Sequence, residues 1–472
     1  MSQKNDTPAL VLALLVTLGL LGGGAWLLAK QFGGGGSPIG GLPGLPQSGG
    51  QAAGNRGSGT VVLSSGDRSL INAPATSQKQ AGLAAYSQGN YSEAAQQLQA
   101  SLQQRPNDPE AVIFRENALA IAGPTLTIGA SLPITSDQNA ALEMMRGIAQ
   151  AQREINSAGG INGQKLLVTL ADDRNDNATA EQVARSFGKD QSVVGVVGPY
   201  SSGVSIATLE AYQAAKLPNI SPVSTSVELS NASPYFFRTV PSDYIAARAL
   251  AEHALNQLQR QRAVVYFNSG SAYSQSLKGE FTTAFSLGGG QVVSEVDLSQ
   301  GGISIGDTLN NAQQQGADVI VLLPNSGTLN KALQVVTVNQ QALPIVAGDD
   351  VYSPITLEVG RAPAEGMVVA IPWHIDASPN PNFPASSRSL WNATVNWRTA
   401  LSYDAVQAIA AGLRNDPSRD GVQQALKSPT FQTDGASGAI RFLPSGDRNA
   451  SIQLVTVQAG SGPGGYVFVP LP

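Results

Sequence analysis

A few short stretches hold the residues whose types and spacing could do chemistry. Gly198-Pro-Tyr-Ser-Ser-Gly203 follows the β-branched run Val193–Val197. A strand that ends there and a helix that begins near Ser202 leave free N–H groups at the helix start, and those groups together with the helix dipole favour an anion. The hydroxyls of Ser201 and Ser202 would add donors. A serine there ordinarily caps its own helix, and both roles are compatible because the capped end is the binding end. Pro222-Val-Ser-Thr225 closes the next short strand and groups Val223, Ser224 and Thr225; such clusters are commonly plain turns. Asp349 and Asp350 follow the apolar run Pro344–Ala347. Two acids in that setting are ordinarily solvated, but a buried one would require a cationic partner. Tyr273 follows the strand Ala263–Phe267 and offers an apolar face and one hydroxyl. Asp243 precedes a helix that it could cap.

Composition removes several other chemistries. The 472 residues include no cysteine, so disulfides, thiolate metal sites and Cys nucleophiles are absent together. His253 and His374 are the only imidazoles, which excludes a His-rich metal site. The net charge of −5 comes without Lys/Arg clusters, which argues against a nucleic-acid partner. Ser186-Phe-Gly-Lys189 fits Ser-x-x-Lys only formally, because the accompanying motifs are missing. Asp172-Asp-Arg-Asn-Asp176 lacks the calcium-loop glycine and reads as a helix cap. No cofactor or metal is implied, and a binding protein is expected rather than an enzyme.

The elements that must position these residues alternate regularly from Thr125 onward. Leu126–Ser131, Leu166–Leu170, Val193–Val197 and Asn219–Ser221 read as strands. Between them, Ala141–Asn156, Thr179–Phe187 and Ser202–Ala215 read as helices, the first with Met144, Ile148, Ala151 and Ile155 at helical spacing. A second series follows: strands Ala263–Phe267, Gln291–Val296, Asp318–Leu323 and Pro344–Ala347, with helices Ser276–Phe285, Ile305–Gln315 and Thr328–Asn339 between them. Repeated β-α-β units predict doubly wound α/β sheets. Two series predict two lobes with a ligand cleft at the carboxyl ends of the strands.

Order and spacing of several motifs resemble the leucine/isoleucine/valine-binding family of type I periplasmic binding proteins. They are Ser157-Ala-Gly-Gly-Ile-Asn-Gly-Gln-Lys165, Asp172-Asp173, Val197–Gly203, Ile220–Thr225, Phe237-Arg-Thr-Val-Pro-Ser-Asp243, Ala347-Gly-Asp-Asp350 and Ala364-Glu-Gly-Met367. The resemblance covers about residues 125–472. It implies an α/β fold of two lobes joined by three crossovers, near Asp243, Trp373 and Arg441. Lobe 1 would then hold about 124–243 and 373–441, and lobe 2 about 244–372 and 442–472. It also implies an ABC permease as partner and an amino acid or related small polar solute as ligand. The ligand carboxylate falls to Ser201 and Ser202, with Ser202 the better match. Val223, Ser224 and Thr225 follow it, Tyr273 covers the ligand, Asp243 stands near the hinge, and Asp350 meets the ammonium. Asp349 is close enough to leave a one-residue shift open. The loop after Pro133 offers Asp137, Gln138 and Asn139 where the family has less, and Leu323-Pro-Asn-Ser-Gly327 lacks a family aromatic. Those departures favour a polar solute; Tyr200 is the aromatic left to compensate.

The first 123 residues have a different character. Ala9–Ala29 is apolar and long enough to span a bilayer, so residues 1–32 read as an uncleaved membrane anchor that leaves the bulk extracytoplasmic; a cleaved signal peptide is the rival. Residues 33–60 hold twelve glycines, and 33–77 read as a flexible tether. Gly82, Ala85, Tyr86, Gly89, Tyr91, Ala94, Leu98 and Pro106 give residues 78–123 the look of a single tetratricopeptide repeat. A helical spacer packed on the main domain is the expected role, with partner docking, as in a membrane-anchored sensor, the alternative.

Overall fold

Alternating hydrophobic strands and amphipathic helices build two open sheets. The computed structural model of the chain describes residues 61–471. The anchor expected over 1–32, and the tether up to residue 60, lie outside the described residues. No helix among the described residues is long and apolar enough to cross a membrane.

The first sheet uses β1 (Leu63–Ser64), β2 (Thr125–Leu132), β3 (Lys165–Asp172), β4 (Val193–Val197), β5 (Asn219–Ser221) and β6 (Phe236–Arg238) in the order β1-β3-β2-β4-β5-β6. Its strands run parallel except β1. All five residues of β4 are buried, as a β-branched strand covered on both faces requires. The second sheet uses β7 (Arg262–Phe267), β8 (Gln291–Asp297), β9 (Val319–Leu323), β10 (Ile345–Ala347) and β11 (Val368–Ile371), all parallel. The antiparallel β14 (Gln453–Ala459) and β15 (Tyr466–Pro470) extend it, giving the order β15-β14-β11-β10-β9-β7-β8. A small hairpin, β12 (Thr433–Gly435) and β13 (Gly438–Ile440), stands apart.

Helices α1 (Ser77–Ser87), α2 (Tyr91–Gln104) and α3 (Pro109–Ala120) lie between β1 and β2. Within it follow α4 (Gln138–Ser157), α5 (Asn177–Lys189) and α6 (Ser202–Ala214). The second lobe holds α7 (Asp243–Glu252), α8 (Ala272–Leu287), α9 (Ile305–Gln314), α10 (Leu329–Asn339) and α11 (Pro354–Ala364). Then come α12 (Asn382–Trp391), α13 (Trp397–Asn415) and α14 (Arg419–Lys427), which return to the first lobe, where α13 packs on α4. The chain therefore passes between sheets three times: after β6, after β11 and after β13. The expected points Asp243, Trp373 and Arg441 fall in those intervals.

The expected tether extends too far. Leu63 and Ser64 pair with Ala171 and Leu170 at the sheet edge. The Leu70 and Ile71 amides donate to Glu110 Oε1 at 2.6 and 3.3 Å. Backbone that is paired in this way is part of the fold, so residues 63–71 belong to the folded domain rather than to a tether that reaches residue 77. Asn117 of α3 fixes the helical segment to the first lobe. Its amide donates to the Val168 and Ser65 carbonyls, and its Oδ1 accepts from Val168 N.

Candidate ligand-binding site

A cavity of about 300 Å³ lies between the lobes, at the carboxyl ends of the strands. One wall comes from the first lobe. The φ of Gly198 is +108°, and a Cβ there would stand 2.2 Å from the Ser131 carbonyl oxygen, so only glycine lets the chain turn from β4 into α6. Ser201 is the N-cap of α6 but makes no side-chain cap bond, and its hydroxyl donates instead to Asn175 Oδ1 at 2.5 Å. The first amides of the helix are thus left without a side-chain acceptor, and Ser202, Gly203 and Val204 line the cavity. Ser202 is buried, its Oγ accepting from Ser226 N at 3.2 Å.

The facing wall comes from the second lobe: Gly270 to Tyr273 at the start of α8, Asn325 and Ser326 after β9, and Asp349 and Asp350 after β10. The Tyr273 hydroxyl donates to Asp349 Oδ1. Asp350 Oδ1 accepts from Arg398 Nη2 at 2.8 Å and from the Tyr200 hydroxyl at 3.4 Å. Tyr200 also meets Ser326 Oγ at 3.1 Å. Arg398 and Tyr200 belong to the first lobe, so these contacts hold the lobes together. Burial raises both carboxyls well above the usual range; the Arg398 guanidinium opposes this, and Asp349 adds to it at Asp350.

Of the expected site residues, the cavity brings together Ser201, Ser202, Val223, Tyr273 and Asp350. Ser224, Thr225 and Asp243 stand behind it. Ser224 turns inward, with its hydroxyl 2.8 Å from Ser205 Oγ and 3.0 Å from the Tyr200 carbonyl oxygen. Its hydroxyl bonds lie within the first lobe, and Ser224 is not among the residues that line the cavity. Thr225 and Asp243 are buried together, the Asp243 amide donating to the Thr225 carbonyl at 2.8 Å. Desolvation lifts the Asp243 carboxyl to about 6, against hydrogen bonding from Ser276 and Thr225. Asp243 is the first residue of α7 and Ser242 holds the N-cap position without a side-chain cap bond, so Asp243 is not the cap of that helix. Asp137 caps α4 through Ala140 N and does not line the cavity.

Arg398 was not found from the sequence. Its signal is a charge at the start of an otherwise apolar helix, Trp397-Arg-Thr-Ala-Leu-Ser. Asn175, Asn177, Asn325 and Ser326 were also missed as lining residues, because neutral polar residues in loops carry no pattern of their own.

Two doubly wound lobes closing on a polar cavity define a two-lobed binding protein. A periplasmic binding protein family model matches residues 125–463, and the chain belongs to that family. A Leu/Ile/Val-binding protein of Rhizobium johnstonii is 25% identical over 349 residues, spanning 72% of this chain and 94% of the relative. The fold is also that of LivJ, a branched-chain amino acid transporter substrate-binding protein from Streptococcus pneumoniae solved with isoleucine. The match has a TM-score of 0.66 at 21% identity, over 74% of this chain and 100% of that one. An ABC transporter solute-binding protein of Rhodopseudomonas palustris, solved with p-hydroxybenzoic acid, matches with a TM-score of 0.65 at 18% identity, over 74% and 96%.

Proposed function

We propose that this protein is the extracytoplasmic solute-binding component of an ABC uptake transporter and captures an amino acid or related small polar solute between its lobes. One observation carries the reading: a single cavity has an uncapped helix start on one wall and an acidic pair on the other. A zwitterion needs those two halves. Its carboxylate would take the amides of α6 with Ser201 and Ser202, and its ammonium would take Asp349 and Asp350. Val223 and Tyr273 would wall the remainder, with Thr225 and Asp243 supporting from behind. The relatives' names speak of Leu, Ile and Val, yet Asn175, Asn177, Asn325 and Ser326 make this cavity polar, which supports a polar amino acid or amide. Isothermal titration against amino acids, amides and aromatic acids should find at least one ligand at micromolar affinity or tighter, about −8 kcal/mol. Silence across the panel would count against the reading.

Acidity gives a second test. An ammonium ligand binds the ionised acids and lowers their pKa, so binding releases protons where the free site holds them. The free carboxyls are raised, so the affinity should fall several-fold from pH 7.5 to pH 5.0. Titrations at both values, read with the proton release, check the direction; tighter binding at pH 5.0 would contradict it.

Residues 1–32 would anchor the protein, 33–60 would tether it, and the tetratricopeptide-like helices would act as a spacer ahead of the permease-facing lobes. The seating of Asn117 against β3 supports the spacer role over free partner docking.

A further inference from the structure

We propose that Arg398 sets the charge of the solute that the cleft accepts, by neutralising one of its two acids and leaving a single uncompensated carboxylate. The inference rests on the amino-acid reading above and assigns the determinant of selectivity to a residue outside the cavity lining.

Asp349 and Asp350 are the formally charged residues that line the cavity. Arg398 stands behind them, 7% exposed, with Nη2 at 2.8 Å from Asp350 Oδ1. Its guanidinium carbon lies 4.2 Å from the Trp397 ring centre, within reach of a cation–π attraction. Its Nε has no hydrogen-bond partner, so its placement is not explained by a saturated structural network. Asp349 accepts from a neutral donor, the Tyr273 hydroxyl, and feels the Arg398 charge through space rather than in a direct pair. Two further acids act on this group from outside the cavity. Asp137 caps α4, and Asp243 is buried behind the cavity; both acids are the same in every variant below, so they shift no comparison between those variants.

With both lining acids ionised, two carboxylates and one guanidinium leave one negative charge. A solute with one ammonium beside its carboxylate balances that charge at the acidic wall. A second ammonium would be desolvated without a partner, which the closed cleft penalises. Removing the guanidinium frees Asp350 and opens the wall to two cationic groups.

The test is isothermal titration of the wild type, R398Q, R398K and R398Q/D350N with asparagine, glutamine and leucine, and with ornithine, which carries two ammonium groups and a net charge of +1. The wild type and R398K should prefer the tightest neutral amino acid over ornithine. R398Q should shift that ratio at least tenfold towards ornithine, and R398Q/D350N, which restores the charge count, should return it towards the wild-type value. A parallel loss for every ligand in R398Q would make Arg398 a mere latch and overturn the inference. So would an ornithine preference in R398Q/D350N, the variant that leaves no charge of the pair buried alone and keeps the test open should R398Q misfold. Wild-type silence towards every ligand would instead sink the amino-acid reading itself, so the two failures are distinguishable.

Discussion

Arg238→Met is expected to destabilise the protein by about 3–5 kcal/mol, read as a lowered denaturation midpoint in urea. Arg238 is fully buried on β6. Its Nε donates to Asp447 Oδ1 at 2.7 Å, and its Nη1 donates to the Ser226 and Ser224 carbonyls at 2.8 and 3.2 Å. Nη2 completes the set at Ser230 Oγ, 2.9 Å away. Methionine would fill part of the volume but leave Asp447 without its cation and two carbonyls without their donor. The cost comes chiefly from those stranded groups, because a paired buried charge contributes little net stability by itself. The double variant Arg238→Met with Asp447→Leu should therefore recover part of the loss. A double variant no better than the single one would show that packing, and not the stranded acid, sets the cost. The same guanidinium holds the backbone on both sides of Thr225, so ligand affinity should fall in the single variant even below its unfolding transition.

Gly147→Ala should also destabilise, although alanine in a helix interior ordinarily gains about 1 kcal/mol over glycine. Gly147 lies where α4 crosses α13. A Cβ there would sit 2.1 Å from the Thr399 carbonyl oxygen and 2.7 Å from Tyr403 N. These are backbone atoms and cannot swing aside like a side chain. Overpacking of this kind costs about 1–3 kcal/mol or more, which outweighs the helical gain. The displaced helix is the one that carries Arg398, so the pair with Asp350 should loosen as well. A thermal midpoint at or above the wild-type value would contradict this reading of the crossing.

The strand and helix pattern of both lobes was legible because each element carries its own period. Val193–Val197 and Asn219–Ser221 occur as read, and Leu166–Leu170 and Ala141–Asn156 were short by a few residues at their ends. Strand β1 was hidden because two residues after a glycine-rich stretch carry no alternation; they are placed by pairing with β3, while the Glu110 carboxylate holds the Leu70 and Ile71 amides that follow. The site was legible where a motif ends a strand, as at Ser201, Ser202 and Asp350. It was obscure where side-chain direction decides. Ser224 differs from Val223 only by facing the other way, and nothing in Pro222-Val-Ser-Thr225 specifies which one looks into the cleft. Arg398 was out of reach for another reason: its partner Asp350 is 48 residues away in the chain, on the opposite lobe.

The most direct test of a zwitterion bridging two lobes removes one half of the ligand at a time. Titrations would compare the tightest amino acid found for the wild type with its methyl ester and with its deaminated acid, at one pH. If the α6 start holds the carboxylate and the Asp349–Asp350 wall holds the ammonium, each truncated ligand should bind at least a hundredfold more weakly than the parent. An ester or a deaminated acid that binds as tightly as the parent would contradict the account.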